Sequence, residues 1–366
     1  MPENIVEDVV ATITERKLQS IIKDPVKTAE AVQLEYVTDT IAGIERTNSN
    51  KGCQYVYKGK PVTNEDTLLR IKRLVIPPAW QNVWICPKVN GHLQVTGTDA
   101  KGRKQYRYHA LWNALRNHTK FYRLYSFGKI LPMLRMQVEK DLAKSGLPVE
   151  KVLATVISLM ERTNIRIGNS AYEKANGSFG ITTLKDKHVK IKGQSISFSF
   201  KGKKGVFHDI DIKSKRLAAI VKKCQDIPGK ELFQYIDDNE KRHSIDSGLV
   251  NEYIKTYTGG DFTAKDLRTW SGTVQALLAL KELGISDTQL ETKNNIVAAL
   301  DTVAKTLGNT RTVCKKYYVH PMIIALYETK SLDKYFKKLE LLEDNDNKAD
   351  LTSEEKVIMS ILENEK

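Results

Sequence analysis

The sequence predicts an α+β protein: a small β-rich module followed by a larger, mainly helical domain. Three observations carry this. Short alternating runs separated by turn residues fill Gln54 to Tyr108. From Tyr122 onward, apolar residues fall mostly at three-to-four spacing. Between Lys187 and Ile212 the pattern returns briefly to strands. With 366 residues and a 41% hydrophobic fraction, the chain is long enough for two domains, or three, with a sizeable core.

Each element has a local reason. Val6 to Ile44 alternates apolar and charged positions and reads as helix or loop. Tyr55, Val56 and Tyr57 precede the turn Lys58-Gly59-Lys60-Pro61. Trp80 to Cys86 and His92 to Thr98 flank Asn90-Gly91, a strong hairpin signal because both residues accept the positive φ of a tight turn. A further turn, Asp99 to Gly102, leads into the strand Gln105 to Tyr108, and the module ends near Arg116. Helices are expected over Tyr122 to Leu142 and Val149 to Met160, with Ser145-Gly146-Leu147-Pro148 as stop and restart.

Ile196, Phe198 and Phe200 share one strand face, as do His208, Ile210 and Ile212, and Gly202-Lys203-Lys204-Gly205 joins the two runs as a hairpin tip. Ile296 to Leu307 is helical, with Gly308 as its cap, so Asn309 lies just past a helix end. Val313 to Leu326 is apolar and interrupted by Pro321. Glu343 to Asp350 reads as a solvated acidic linker, and Thr352 with Glu355 as a capping box for a last short helix. The expected divisions are therefore an extension over residues 1–45, a β-rich domain over 46–118, a mainly helical domain over 119–342, and a linker with helix over 343–366.

Lys and Arg total 58 against 44 Asp and Glu, a net charge of +14. That surplus points to a polyanionic partner, most often nucleic acid. Cys53, Cys86, Cys224 and Cys314 form no C-x-x-C pair, so neither a zinc site nor a disulfide framework is suggested. Met1 to Val10 lacks a secretory pattern, and no apolar run approaches a membrane span. There is no glycine-rich phosphate loop ending in G-K-S or G-K-T and no acidic metal cluster, so neither ATP nor a metal cofactor is expected.

A basic chain without a nucleotide site can still act on DNA by phosphoryl transfer to a side chain. A tyrosine hydroxyl retains the phosphodiester bond energy as a covalent intermediate. Arginines suit the charge that builds on the non-bridging oxygens, because the guanidinium stays charged and forks onto two oxygens. A lysine beside other cations can protonate the departing 5′ oxygen. Arg166, Lys203, Lys265, Arg268, Asn309, Tyr317 and Tyr318 offer these parts along the C-terminal two-thirds. Spacing alone does not bring them together, and each reads equally as a solvated charge or a packed aromatic. Neither tyrosine is preferred on these grounds.

Longer segments are more specific. In order they read YVTDTIAGIER, RLVIPPAWQNVWICP, GTDAKGRKQYRYH, RTNIRIGN, GITTLKDKHV, FSFKGKKGVFH, KDLRTWSGT and GNTRTVCKKYYVHP. From about Tyr36 to Tyr327 the chain resembles the bacterial, poxvirus-like branch of the DNA topoisomerase IB family. The resemblance implies the catalytic core shared with tyrosine recombinases, with a three-stranded antiparallel sheet, and two lobes clamped around duplex DNA and joined near Arg116 to Tyr122. It implies Arg166 and Arg268 as catalytic arginines, Lys203 as general acid, Lys265 as a DNA contact, and Tyr318 rather than Tyr317 as the nucleophile of a 3′-phosphotyrosyl intermediate. Many members carry a histidine where this chain has Asn309. An amide still donates a hydrogen bond but is neutral at every pH, so less transition-state stabilisation is expected there.

The resemblance further implies DNA contacts by Gln105, Tyr106, Tyr108, Arg116 and Tyr172, although aromatic packing would explain the strand tyrosines equally. It implies a bacterial, cytoplasmic, nucleoid-associated enzyme that acts as a monomer on double-stranded DNA, without membrane or obligate protein partner. Two other readings compete. A tyrosine recombinase would share the core, but usually carries H-x-x-R where this chain has Lys265 and Arg268, and lacks the IPPAW and GRKQY module. A non-enzymatic DNA-binding relative would bind with the same salt dependence but form no covalent link.

Overall fold

The computed structural model describes residues 24–49, 52–99, 104–170, 173, 176–237, 239–260, 262–342 and 347–364. They form two compact units, divided in sequence after Arg123.

In the first unit, α1 (Pro25–Glu30) is capped by Asp24, whose carboxylate accepts from the Val26 and Lys27 amides. Then follow β1 (Ile44–Ser49), β2 (Gly52–Tyr57), β3 (Lys60–Pro61), α2 (Glu65–Arg73), β4 (Gln81–Ile85), β5 (Leu93–Thr98) and β6 (Lys104–Tyr108). The strands make one antiparallel sheet in the order β3-β2-β1-β4-β5-β6. Strand alternation puts Ile44, Val83, Ile85 and Val95 on a buried face with Ile71 of α2. Lys58 and Gly59 take the positive φ of a tight turn, at 49° and 77°, whereas β4 and β5 pair across a longer connection in which Asn90 and Gly91 do not adopt positive φ. Helix α2 is an element of the β-rich module that the sequence reading does not include. Five of its nine residues are charged, and its apolar face is only Leu68 and Ile71, a stripe of a single turn. What forms it is the Asn64 side chain, which accepts from the Thr67 amide at 2.8 Å, with acids in the first turn and bases in the last.

Helix α3 (Ala110–Leu142) starts well before Tyr122. Its apolar periodicity breaks because the helix serves two cores. Leu111, Trp112 and Leu115 pack with Ala29, Val32 and Leu34. Leu124, Phe127, Leu131, Leu134 and Val138 belong to the core of the second unit.

That second unit continues with α4 (Val149–Thr163), closed by Asn164 in the left-handed conformation at φ 55°. β7 (Val189–Lys192), β8 (Ser195–Lys201) and β9 (Phe207–Lys213) form a three-stranded antiparallel sheet in that order. Ile196, Phe198 and Phe200 point into the core, each contributing about 1.5–3 kcal/mol of burial. Then come α5 (Lys215–Gln225), the small hairpin β10 (Gln234–Ile236) and β11 (Arg242–Ser244), α6 (Ser247–Thr258), α7 (Ala264–Leu283), α8 (Gln289–Leu307), α9 (Arg311–Tyr317), α10 (Pro321–Glu328), α11 (Asp333–Glu340) and α12 (Ser353–Glu363). Pro321 starts α10 rather than breaking it, since the first helical position needs no amide donor.

The Thr352–Glu355 capping box forms. Helix α12 is part of the core, with Val357, Ile358, Ile361 and Leu362 all buried. Glu355 accepts two hydrogen bonds from Arg135, each 2.8 Å, and one from Trp270 Nε1 at 2.8 Å, while Arg135 also bonds Glu161 at 3.0 Å. The acidic stretch is not a freely solvated linker over its described end. Ala349 is buried, and the Asp350 carbonyl accepts from Arg135 at 3.1 Å. Residues 343–346 lie outside the described residues. No described helix is long and apolar enough to cross a membrane.

Candidate active site

Three chain segments converge at the C-terminal end of α8. The loop after α4 brings Arg166, the first turns of α7 bring Arg268, and the Gly308 cap of α8 brings Asn309. Arg268 is almost fully buried, at 5% exposure. One of its nitrogens donates to the Asn164 carbonyl, the other to the Leu307 carbonyl at 2.8 Å. Arg166 Nη2 donates to the Gly308 carbonyl at 2.8 Å and to Asn309 Oδ1 at 2.5 Å. Two guanidinium groups side by side repel. The last carbonyls of α8 offset that, because a helix C-terminus leaves its acceptors unpaired and carries the negative end of the macrodipole. Burial, then the neighbouring Arg166 charge, lower the Arg268 pKa, and burial lowers that of Arg166.

Tyr318 follows α9 directly, and the Arg268 guanidinium lies 5.4 Å from its ring centre. Helix α7 holds this segment closely. A methyl group on Gly272 would fall 2.6 Å from the Tyr318 carbonyl oxygen, so only glycine permits the approach. The buried Thr273 hydroxyl accepts from the His320 amide at 3.1 Å, and faces the Thr269 and Tyr318 carbonyls at 2.9 and 3.3 Å. Pro321 then starts α10. Tyr317 is instead the last residue of α9.

Among the described residues, Asn309 Nδ2 and Arg268 Nε are buried without a hydrogen-bond partner. Both are donors beside Tyr318 or Arg166, and buried donors are normally paired. The arrangement therefore offers N–H groups to an anion next to a tyrosine hydroxyl. Lys203 is not drawn into this cluster. It stands exposed at the β8–β9 tip, in a tight turn with Lys204 at φ 59° and Gly205 at φ 80°. Lys265 is exposed in the first turn of α7.

Comparisons with known proteins give the family. A family model described as eukaryotic DNA topoisomerase I, catalytic core, matches residues 105–345. One described as bacterial DNA topoisomerase IB, N-terminal domain, matches residues 54–99. DNA topoisomerase 1B of Acanthamoeba polyphaga mimivirus is 35% identical over 295 residues, covering 78% of this chain and 88% of the relative. The chain belongs to the type IB DNA topoisomerases. DNA topoisomerase 1B of vaccinia virus, strain Copenhagen, is 28% identical over 240 residues, 64% of this chain and 72% of its own. DNA topoisomerase 1 of Mycosarcoma maydis is 26% identical over 183 residues, 44% of this chain and 18% of its own. As a type IB topoisomerase the chain binds DNA and changes its topology. The recombinase alternative gives way to this family.

In the topoisomerase's first unit, β6 is an edge strand of the sheet. Tyr106 is 47% exposed and lies stacked beside Tyr108, with ring centres 6.0 Å apart and planes within 7°. The Lys104 ammonium sits 5.7 Å over the Tyr106 ring. Gln105, one residue on, points to the other face and donates to Asp99 at 2.8 Å. The three are thus not one contact surface. Arg116 is exposed on α3. Tyr172 lies outside the described residues.

Sequence reasoning missed four residues around the topoisomerase site: Asn164, Gly272, Thr273 and His208. Asn164 carried a readable signal, an asparagine directly after a helical run. The buried imidazole of His208 lies beside the Gly308 cap, where a methyl on Gly308 would fall 2.6 Å from its Cε1. Burial, then Arg166 and Arg268, hold its pKa below the ordinary histidine value.

Proposed function

We propose that Tyr318 attacks the scissile phosphodiester and forms a 3′-phosphotyrosyl intermediate. The cut strand then rotates about its intact partner and is resealed, without ATP or metal. The observation that supports this most is the Arg268 guanidinium 5.4 Å from the Tyr318 ring, together with Asn309 Nδ2, a buried donor with no partner among the described residues. In this reading Arg166 and Arg268 meet the charge that grows on the non-bridging oxygens, and Asn309 Nδ2 donates to one of them. Fixed cations in a buried setting supply the stabilisation a metal would otherwise provide. Lys203, on its hairpin tip, protonates the departing 5′ oxygen. Lys265 and the exposed Tyr106, with Tyr108, Gln105, Arg116 and Tyr172, are further DNA contacts, phosphate contacts among them setting register rather than sequence choice. The enzyme acts as a monomer in the bacterial cytoplasm.

The test is to incubate the pure protein with supercoiled plasmid in EDTA without ATP, quench with SDS, and map the peptide that carries DNA. Relaxation with DNA on Tyr318 is the expected result. Loss of relaxation in EDTA, or DNA on Tyr317, overturns the mechanism.

A further inference from the structure

The His208 side chain occupies a particular place between the two halves of the site. It sits on β9 directly across from Phe200 of β8, and the two rings stack at 5.0 Å with planes 18° apart. On one side lies Gly202, the residue before Lys203. A methyl there would fall 2.6 Å from His208 Cδ2 and 2.7 Å from Nε2. On the other side lies Gly308, the residue before Asn309. A methyl there would fall 2.6 Å from Cε1, 3.1 Å from Nε2 and 3.6 Å from Arg166 Nη1. The backbone at Gly202 has φ −89°, which any residue adopts, so its smallness is required chiefly by the ring, with the Val206 carbonyl at 3.3 Å a lesser constraint. Neither imidazole nitrogen hydrogen-bonds a described residue, so the contact acts through shape. Burial and the two arginines keep the ring neutral, which spares the site a third cation.

We infer that His208 is a positioning residue: its ring is the spacer that sets the Lys203 hairpin tip against the Gly308 cap holding Arg166 and Asn309. From Lys203 to Phe207 the tip is exposed; the hydrogen bond from Gly202 N to the Val206 carbonyl at 2.7 Å closes it upon itself, and its base is tied outward by the Phe179 amide, which donates to the Lys201 carbonyl at 2.8 Å. Stacking on Phe200 anchors the ring in the core, and the two glycines let the backbone of each half close onto it. A general acid displaced by about 1 Å loses on the order of a hundredfold in rate, so a missing spacer is felt at the leaving-group proton. The inference rests on Lys203 being the general acid.

The test is single-turnover cleavage of a duplex at a mapped cleavage site, with the 5′-bridging atom either oxygen or sulfur. A sulfur leaving group needs no proton, so a defect in proton delivery disappears with it. His208→Ala is expected to slow cleavage of the oxygen duplex by about tenfold to a hundredfold and to cleave the sulfur duplex at nearly the parent rate. Gly202→Ala, which pushes on the same ring from the hairpin side, should show the same signature. His208→Phe, which keeps a flat ring, should stay near the parent rate on both.

Equal slowing of His208→Ala and Gly202→Ala on both duplexes overturns the proposal, as does an unchanged rate on the oxygen duplex or a His208→Phe as slow as His208→Ala. If His208→Ala loses its cooperative melting transition, the other two variants decide. Lys203→Ala run in parallel separates the two layers. Rescue of Lys203→Ala by sulfur without rescue of the other variants sinks the His208 role alone. No rescue of Lys203→Ala sinks the general-acid reading and the spacer with it.

Discussion

Arg166 Nη2 donates a 2.5 Å hydrogen bond to Asn309 Oδ1, and this bond settles which end of the Asn309 amide is occupied. A guanidinium only donates, so the atom facing it is the oxygen. The nitrogen is left buried and, among the described residues, unpartnered. Asn309 is therefore a connector: it takes a hydrogen bond from one arginine and holds out another N–H of its own.

Replacing that nitrogen tests the connector. Asn309→Asp keeps the oxygen that Arg166 bonds but turns the free donor into a second anionic oxygen. Its single-turnover cleavage rate should fall by about 10²-fold or more, the usual cost of one lost oxyanion donor. Asn309→Ala should fall by less, because it removes the donor without adding repulsion. A cleavage rate for Asn309→Asp equal to the parent's would show that this nitrogen does not meet the phosphate.

Tyr317 and Tyr318 are adjacent, yet only Tyr318 has the Arg268 guanidinium against its ring. Tyr318→Phe should leave no SDS-resistant adduct while still retarding duplex DNA on a gel. Tyr317→Phe should still form adduct. Arg268→Lys should slow cleavage by on the order of 10²-fold, because an ammonium cannot fork between the Asn164 and Leu307 carbonyls and still face the substrate.

The Thr273 hydroxyl ties the Tyr318 segment to α7. Thr273→Val preserves the shape but leaves the His320 amide without its partner in a buried site. Unfolding in urea should show a loss of about 1–3 kcal/mol. The folded variant should also cleave more slowly at saturating DNA, since the tyrosine is less firmly placed. Unchanged stability would mean that water replaces the hydroxyl.

The Arg135 cluster sets a pH dependence of stability. Burial pushes the Glu355 carboxyl up, but the Arg135 hydrogen bonds and charge outweigh it and hold the group below the usual carboxylate range. A depressed folded pKa stabilises above the unfolded value of about 4.3, and that contribution fades as pH falls through the folded value. Glu355→Gln should cost on the order of 3 kcal/mol at pH 7, and its gap from the parent should narrow below about pH 4. For Glu161, burial dominates and its pKa is raised. Its contribution runs the other way, present at low pH and lost as pH rises, so Glu161→Gln should cost less than Glu355→Gln at pH 7. Urea midpoints at the two pH values decide both.

Much of this architecture is legible in the chain itself. Asn90-Gly91, Gly202 to Gly205, Gly308 and the Thr352–Glu355 box each declare a turn or a cap through local chemistry, and the elements form there. Helix α2 hides because it is short and largely charged: its marks are the Asn64 cap, the order of its charges and one turn of apolar face at Leu68 and Ile71. The start of α3 hides because its first turns bury a different set of positions, in a different core, from the rest of the helix. The site is less legible still. Thr273 reaches Tyr318 and His320 across more than forty residues, and His208 meets Gly202 and Gly308 only once sheet and helix have packed. Such contacts leave no periodic trace. The choice between Tyr317 and Tyr318 rests on the family pattern.

The two arginines owe their positions chiefly to the main-chain oxygens of Asn164, Leu307 and Gly308. Every amino acid carries that oxygen. Most substitutions at Leu307 would disturb packing yet leave the acceptor in place, so genetic drift cannot easily strip the arginines of their anchors. Only a residue that changes the backbone path can do so, and Asn164 at φ 55° and Gly308 at φ 57° are where the path is most demanding. The two guanidinium groups are thus tied to chain geometry, with Asn309 Oδ1 the one side-chain acceptor among these anchors. This leaves the surrounding sequence free to diverge while the two guanidinium groups stay where they are.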